Sequence, residues 1–90
     1  METYFNAKDW LEYEYPTTII ADRYNGTYSG GKYTCWAMDA DMIPPEVEGG
    51  DAECYHFWHT TDLIVGKGAT PDKAMLDLRQ KYKKYIELTG

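Results

Sequence analysis

Cys54, His56 and His59 crowd one short segment and Cys35 precedes them, a donor set that could bind zinc through sulfur and imidazole nitrogen. The segment reads as a strand, where Cys54 and His56 share one face while His59 points to the other. Tetrahedral convergence would then need a bulge, and the ordinary reading is two core thiols and two strand histidines with no metal. Gly66-Lys67-Gly68 ahead of Thr70 could cradle an anion at a helix N-terminus, but it lacks the Gly-Lys-Ser/Thr spacing of a phosphate loop and reads as a turn and cap. No Ser-His-Asp, Cys-His or HExxH arrangement is evident. The expectation is a binding protein without catalytic residues or cofactor.

The strongest chemical feature is charge. From Tyr33 to Gly66 there is no Lys or Arg, while Asp39, Asp41, Glu46, Glu48, Asp51, Glu53 and Asp62 all fall there among large aromatics. Residues 1–62 hold 12 acids and 3 bases, whereas residues 63–90 hold 3 acids and 6 bases, so the formal −6 is unevenly spread. A one-signed field beside aromatics suits a basic partner. In extended chain, carboxylates at i and i+2 lie about 6.6–6.8 Å apart on one face, a spacing of the same order as successive phosphates on a nucleic-acid strand. Asp39/Asp41, Glu46/Glu48 and Asp51/Glu53 are three such pairs, and with Trp36 and Tyr28 they form the candidate partner-binding set. A solvated acidic face that only maintains solubility accounts for the same residues. A second set, Tyr24, Asn25, Tyr28, Tyr33 and Trp58, could form a stacking pocket for a nucleotide, although core packing also explains aromatics this numerous.

The elements that must position these groups can be read in order. Residues 1–16 form an N-terminal segment with a short helix over NAKDWLEY, Asn6 as its N-cap, ended by Pro16. Residues 17–61 read as an antiparallel sheet: Thr17–Tyr24 and Tyr33–Asp39 as a hairpin about a Gly-rich loop, and 52–61 as a third strand. Between the second and third strands the acidic loop 40–51 is long for so small a domain, with Met42, Ile43 and Val47 as its anchors. Leu63–Val65 could add a brief strand before a turn at Gly66–Ala69. Thr70, Pro71 and Asp72 then open a helix over 70–88, with Ala74, Met75, Leu78, Tyr82, Tyr85 and Ile86 spaced to face the sheet. The fold class is α+β, a three- to four-stranded antiparallel sheet with the C-terminal helix on one face.

Ninety residues fit one domain, and nine Tyr, three Trp and two Phe supply ample surface to bury. No apolar run is long enough to cross a bilayer, and METYFNAKDW has neither the basic nor the apolar region of an export signal, so a cytoplasmic protein with reduced thiols and no membrane contact is expected. The negative balance disfavours direct nucleic-acid binding. An uncovered edge strand would allow a homodimer.

The segment GKGATPDKAMLDLRQKYKKYIEL, read as following an aromatic strand, resembles the turn-and-helix signature of HicB-like antitoxin domains over about a quarter of the chain. The resemblance implies a small antiparallel sheet backed by a helix, the layer with which such proteins cover a toxin. IIADRYNGTYSGGKYTCWAMDA is similar to the start of ArdA-type antirestriction proteins, which present carboxylates to restriction enzymes as DNA does. By type, a small acidic single domain also resembles phage anti-defence proteins, anti-CRISPR proteins among them. These likenesses and the charge field lead to one expectation: a non-catalytic phage-type inhibitor, working in the host cytoplasm, whose acidic, aromatic-edged surface binds a basic nucleic-acid-handling defence protein such as a CRISPR or restriction nuclease. The rivals are a sponge for a nucleotide immune signal and an antitoxin-type partner protein.

Overall fold

The computed structural model describes residues 7–89 and is an α+β domain. Helix α1 (Ala7–Tyr13) leads to strands β1 (Thr18–Ala21) and β2 (Tyr33–Trp36), and two 3-10 turns follow at Ala40–Met42 and Pro45–Glu48. Helix α2 (Asp51–Thr60), strand β3 (Gly66–Gly68) and helix α3 (Pro71–Thr89) complete the chain. The sheet has order β1-β2-β3 and is antiparallel throughout, with Thr18 opposite Trp36, Ile20 opposite Thr34, and Cys35 opposite Gly66. The expected cap of α1, Asn6, lies outside the described residues.

β2 is the centre of the molecule, and it is covered on both faces. Alternation sends Tyr33 and Cys35 to one side, where they meet Trp10, Ala74, Leu78 and Tyr82 from α1 and α3. Trp36 goes to the other, packing with Val47 and Val65 and against Phe57 and Trp58 of α2. Its indole N–H donates to the Thr34 hydroxyl at 2.8 Å on the same face, so the buried polar atom is paired. A helix on one face was the sequence expectation; the structure adds a second apolar layer built from α2 and the 3-10 turns.

That layer exists because residues 52–61 are helical, which corrects the reading of a third strand there. Three local forces favour the helix. The Glu53 carboxylate accepts from the Gly50 backbone N–H at 3.1 Å, Asp51 and Glu53 sit in the first turn where the helix dipole favours them, and His59 lies in the last. Cys54, Phe57 and Trp58 then fall at steps of three and four on the side facing Val47 and Trp36. A strand would have split these apolar groups between two faces.

The expected turn at Gly66–Ala69 is instead β3 for its first three residues, and its two glycines are a packing requirement. A methyl group on Gly66 would overlap the Ala74 carbonyl and lie 2.6 Å from Leu78 Cβ; one on Gly68 would lie 2.5 Å from the Ala74 nitrogen. α3 can approach the sheet this closely only over bare backbone. Helix α3 itself starts as the sequence implies, with the Lys73 N–H donating to the Thr70 hydroxyl at 3.1 Å. Ala74, Leu78 and Tyr82 are buried as expected, while Tyr85 is 47% exposed and belongs to the surface. Arg79 ties α3 to α1 by donating to the Leu11 carbonyl at 3.0 Å and pairing with Glu14. Among the described residues, no helix is long and apolar enough to cross a membrane.

Candidate partner-binding face

The base-free segment forms a surface of 3-10 turns and a helix start, held down by two anchors. Val47 is buried and Ile43 half-buried against the Trp36 cluster, whereas Met42, expected as a third anchor, is 67% exposed. With these two side chains turned inward, Asp39, Asp41, Glu46, Glu48, Asp51 and Glu53 are all exposed. The three i, i+2 pairs are not in extended chain. Asp39 and Asp41 flank the start of one 3-10 turn, Glu46 and Glu48 sit within the other, and Asp51 and Glu53 open α2. Helical geometry turns residues two apart away from each other, so the phosphate-spaced row becomes a broader acidic patch.

The patch is fastened to the hairpin loop by tyrosines. The Tyr24 hydroxyl donates to the Gly49 carbonyl at 2.8 Å and receives the Arg23 Nε–H at 3.2 Å. The loop bearing them is shaped by Asp22, whose carboxylate accepts from the N–H groups of Tyr24 and Gly26 at 3.0 and 2.7 Å. Tyr28 packs edge-on to Tyr24 with ring centroids 5.3 Å apart and edge-on to Tyr55 of α2 at 6.1 Å. Tyr55 in turn lies 4.1 Å from the His59 ring one helical turn on. Four rings therefore run from the loop onto α2, with Tyr55 53% exposed.

Electrostatics couple the ladder to the acids. Partial desolvation, and then the negative charge of the Asp51 carboxylate, raise the Tyr28 hydroxyl above its ordinary pKa. The bond with Tyr24, reinforced by Glu48 and Asp51, raises that of Arg23, the base that adjoins this face. A cation arriving here would meet carboxylates and aromatic faces together.

The other sequence candidates are dispersed. Trp36 is fully buried, so it supports the face from beneath and offers no edge to a partner. Of the stacking set, Tyr24 and Tyr28 adjoin and Asn25 is exposed beside them, but Tyr33 packs toward α3 and Trp58 lies on the opposite side of the sheet. Cys35 and Cys54 are likewise separated by the sheet, with His56 and His59 on the exposed side of α2. Burial, with a smaller contribution from Glu14, pushes the Cys35 thiol up to about 11, and burial also raises Cys54. Such thiols are poor nucleophiles. Among the described residues, no group of three or more His, Cys, Asp or Glu side chains converges as a metal site.

The sequence expectation weighs His59 only as a zinc donor and leaves Tyr55 out of the partner-binding set; their spacing of four is the signal that pairs them once the segment is read as a helix. Comparisons with protein-family models, with curated proteins and with solved structures give no match for this chain.

Proposed function

We propose that this protein is a non-catalytic inhibitor whose acidic, tyrosine-edged face binds the basic site of a nucleic-acid-handling protein, in the manner of phage anti-defence proteins that block CRISPR or restriction nucleases. One observation carries the reading: six carboxylates of a base-free segment are all exposed, and two of them, Glu48 and Asp51, act on the loop whose rings pack onto α2 at the exposed Tyr55. Charge of one sign steers a basic partner over distance, and aromatic side chains supply desolvated anchors at contact. The patch addresses a cationic surface as a whole, and no register with successive phosphate sites is required of it.

Affinity purification of the tagged chain from its host's cells, with the captured protein identified and its nuclease activity assayed, tests this. The expected result is a nucleic-acid-binding protein that the pure chain inhibits, with capture reduced at raised salt, because exposed charges more than about 8–10 Å apart are screened at physiological ionic strength. Capture of a protein that does not handle nucleic acid would overturn the reading. So would undiminished binding by a variant with Asp39, Asp41, Glu46, Glu48, Asp51 and Glu53 changed to Asn or Gln.

A further inference from the structure

An open cleft of about 410 Å³ lies between the end of α2, the 61–65 connection and the second half of α3. Its walls are mainly apolar. Three of the large apolar side chains that the surface leaves exposed, Leu63, Tyr85 and Leu88, converge on it, and Trp58 and Ile64 line it as well. Its charged groups are of one sign: Lys67, Lys81 and Lys84 line it, and no carboxylate does.

The three ammoniums are not equivalent. Lys81 is engaged, donating to the Val65 carbonyl at 2.8 Å and pairing with Asp77 at 2.9 Å. Lys67 and Lys84 have no ion pair among the described residues. Lys67 stands opposite Thr34 in the sheet, which places it on the Trp36 side, and its Nζ lies 5.0 Å from the centre of the Trp58 ring. Burial, followed by the like charge of Lys81, lowers its pKa, with Asp77 acting in the opposite sense. A half-buried ammonium beside a second cation is an arrangement that a bound anion would relieve.

We propose that this cleft binds a small amphipathic anion, an acyl or aryl carboxylate, with its apolar body against Leu63, Tyr85 and Leu88 and its charge met by Lys67 and Lys84. The volume is in the range of small-molecule pockets, about 300–1,000 Å³, and the pairing of an apolar lining with a few polar groups of one kind is what orients such ligands. The lysines select an anion in a protein whose net charge of −6 repels anions elsewhere. This site is independent of the acidic face.

The experiment uses the full chain and the aryl sulfonate 8-anilinonaphthalene-1-sulfonate as fluorescent probe, octanoate as competitor, and neutral 1-octanol as the matched control. Saturable one-site fluorescence is expected, displaced by octanoate well before octanol. Octanoate should shift the amide resonances of Lys67, Lys84 and Leu88 in the wild-type protein. Lys67→Gln with Lys84→Gln should weaken the probe by about tenfold, as loss of charge-assisted contacts does. Equal displacement by octanol, an unchanged titration in the double variant, resonance shifts confined to other surfaces, or no binding of either anion would each overturn the proposal. The resonance map needs no variant, so it decides the matter even if the double substitution unfolds the chain. Tighter binding of an acidic peptide than of octanoate would also sink it, by making the cleft a protein-docking groove.

Discussion

Gly66 lies so close to Leu78 that a single added methyl group would come within 2.6 Å of the Leu78 Cβ. The contact joins β3 to the middle of α3, so the two-layer packing on the Cys35 face depends on a missing side chain. Gly66→Ala should destabilise the fold by about 1–3 kcal/mol, the usual cost of overpacking a tight interior. Gly68→Ala should behave similarly, since its methyl would meet the Ala74 and Lys73 backbone. Urea unfolding followed by tryptophan fluorescence measures both, and a stability equal to wild type would mean that α3 can move off the sheet.

Asp77 covers the free edge of β3. Its carboxylate accepts the Lys67 backbone N–H at 2.8 Å and pairs with Lys81, which itself donates to the Val65 carbonyl. An edge strand of three residues is thereby capped by helix side chains, where a neighbouring strand would otherwise be needed. Asp77→Ala should cost about 1–3 kcal/mol by leaving that N–H unpaired, while Asp77→Asn, which keeps an acceptor oxygen, should cost clearly less. Hydrogen exchange at the Lys67 amide should rise in the alanine variant and stay slow in the asparagine variant.

The sequence made some of this legible and concealed the rest, for reasons visible in single residues. α3 is readable because Thr70, Pro71 and Asp72 mark its start by local chemistry and Ala74, Leu78 and Tyr82 mark its buried side by spacing. α2 was concealed because Tyr55, Phe57, Trp58 and Thr60 favour strands by propensity, and the contacts of Cys54 and Trp58 with the second layer outweigh that preference. Gly66 and Gly68 look like turn residues until α3 is seen resting on them. At the candidate face, exposure of the carboxylates follows from charge alone, but the ring ladder depends on α2 being helical and could not be foreseen from a strand. Trp36 was misplaced because a central strand buried on both sides does not show which of its aromatics is inward.

Alkaline pH should lower the stability of this protein progressively. The Cys35 thiol, pushed up to about 11, is protonated in the folded state at pH values where an unfolded thiol, near about 8.5, has ionised. The folded state therefore holds one more proton in that window. Its contribution is fully present below about pH 8.5 and is lost as pH rises toward 11, at about 1.4 kcal/mol per pH unit for one proton. Tyr82, raised chiefly by burial, acts in the same direction at higher pH, and Lys67, shifted downward, opposes both. Stability measured against pH should fall between 9 and 11, and Cys35→Ala should flatten that slope by about one proton whatever its effect at neutral pH.

Charge and aromatic anchoring on the acidic face should separate kinetically. The six carboxylates are exposed, so their chief effect is on encounter: neutralising them should lower the association rate toward the captured partner by about tenfold or more and remove most of its salt dependence. Tyr55 offers an exposed ring supported by His59 and Tyr28, and its contact forms only on docking. Tyr55→Ala should therefore leave association nearly unchanged and speed dissociation, by about tenfold for a contact of 1–2 kcal/mol. Both variants should melt close to wild type, because the side chains removed are exposed and Glu53→Gln keeps the oxygen that accepts from Gly50. If Tyr55→Ala slowed association as much as the charge variant does, the ring would be part of the steering surface, and the division between acidic patch and aromatic anchor would be wrong.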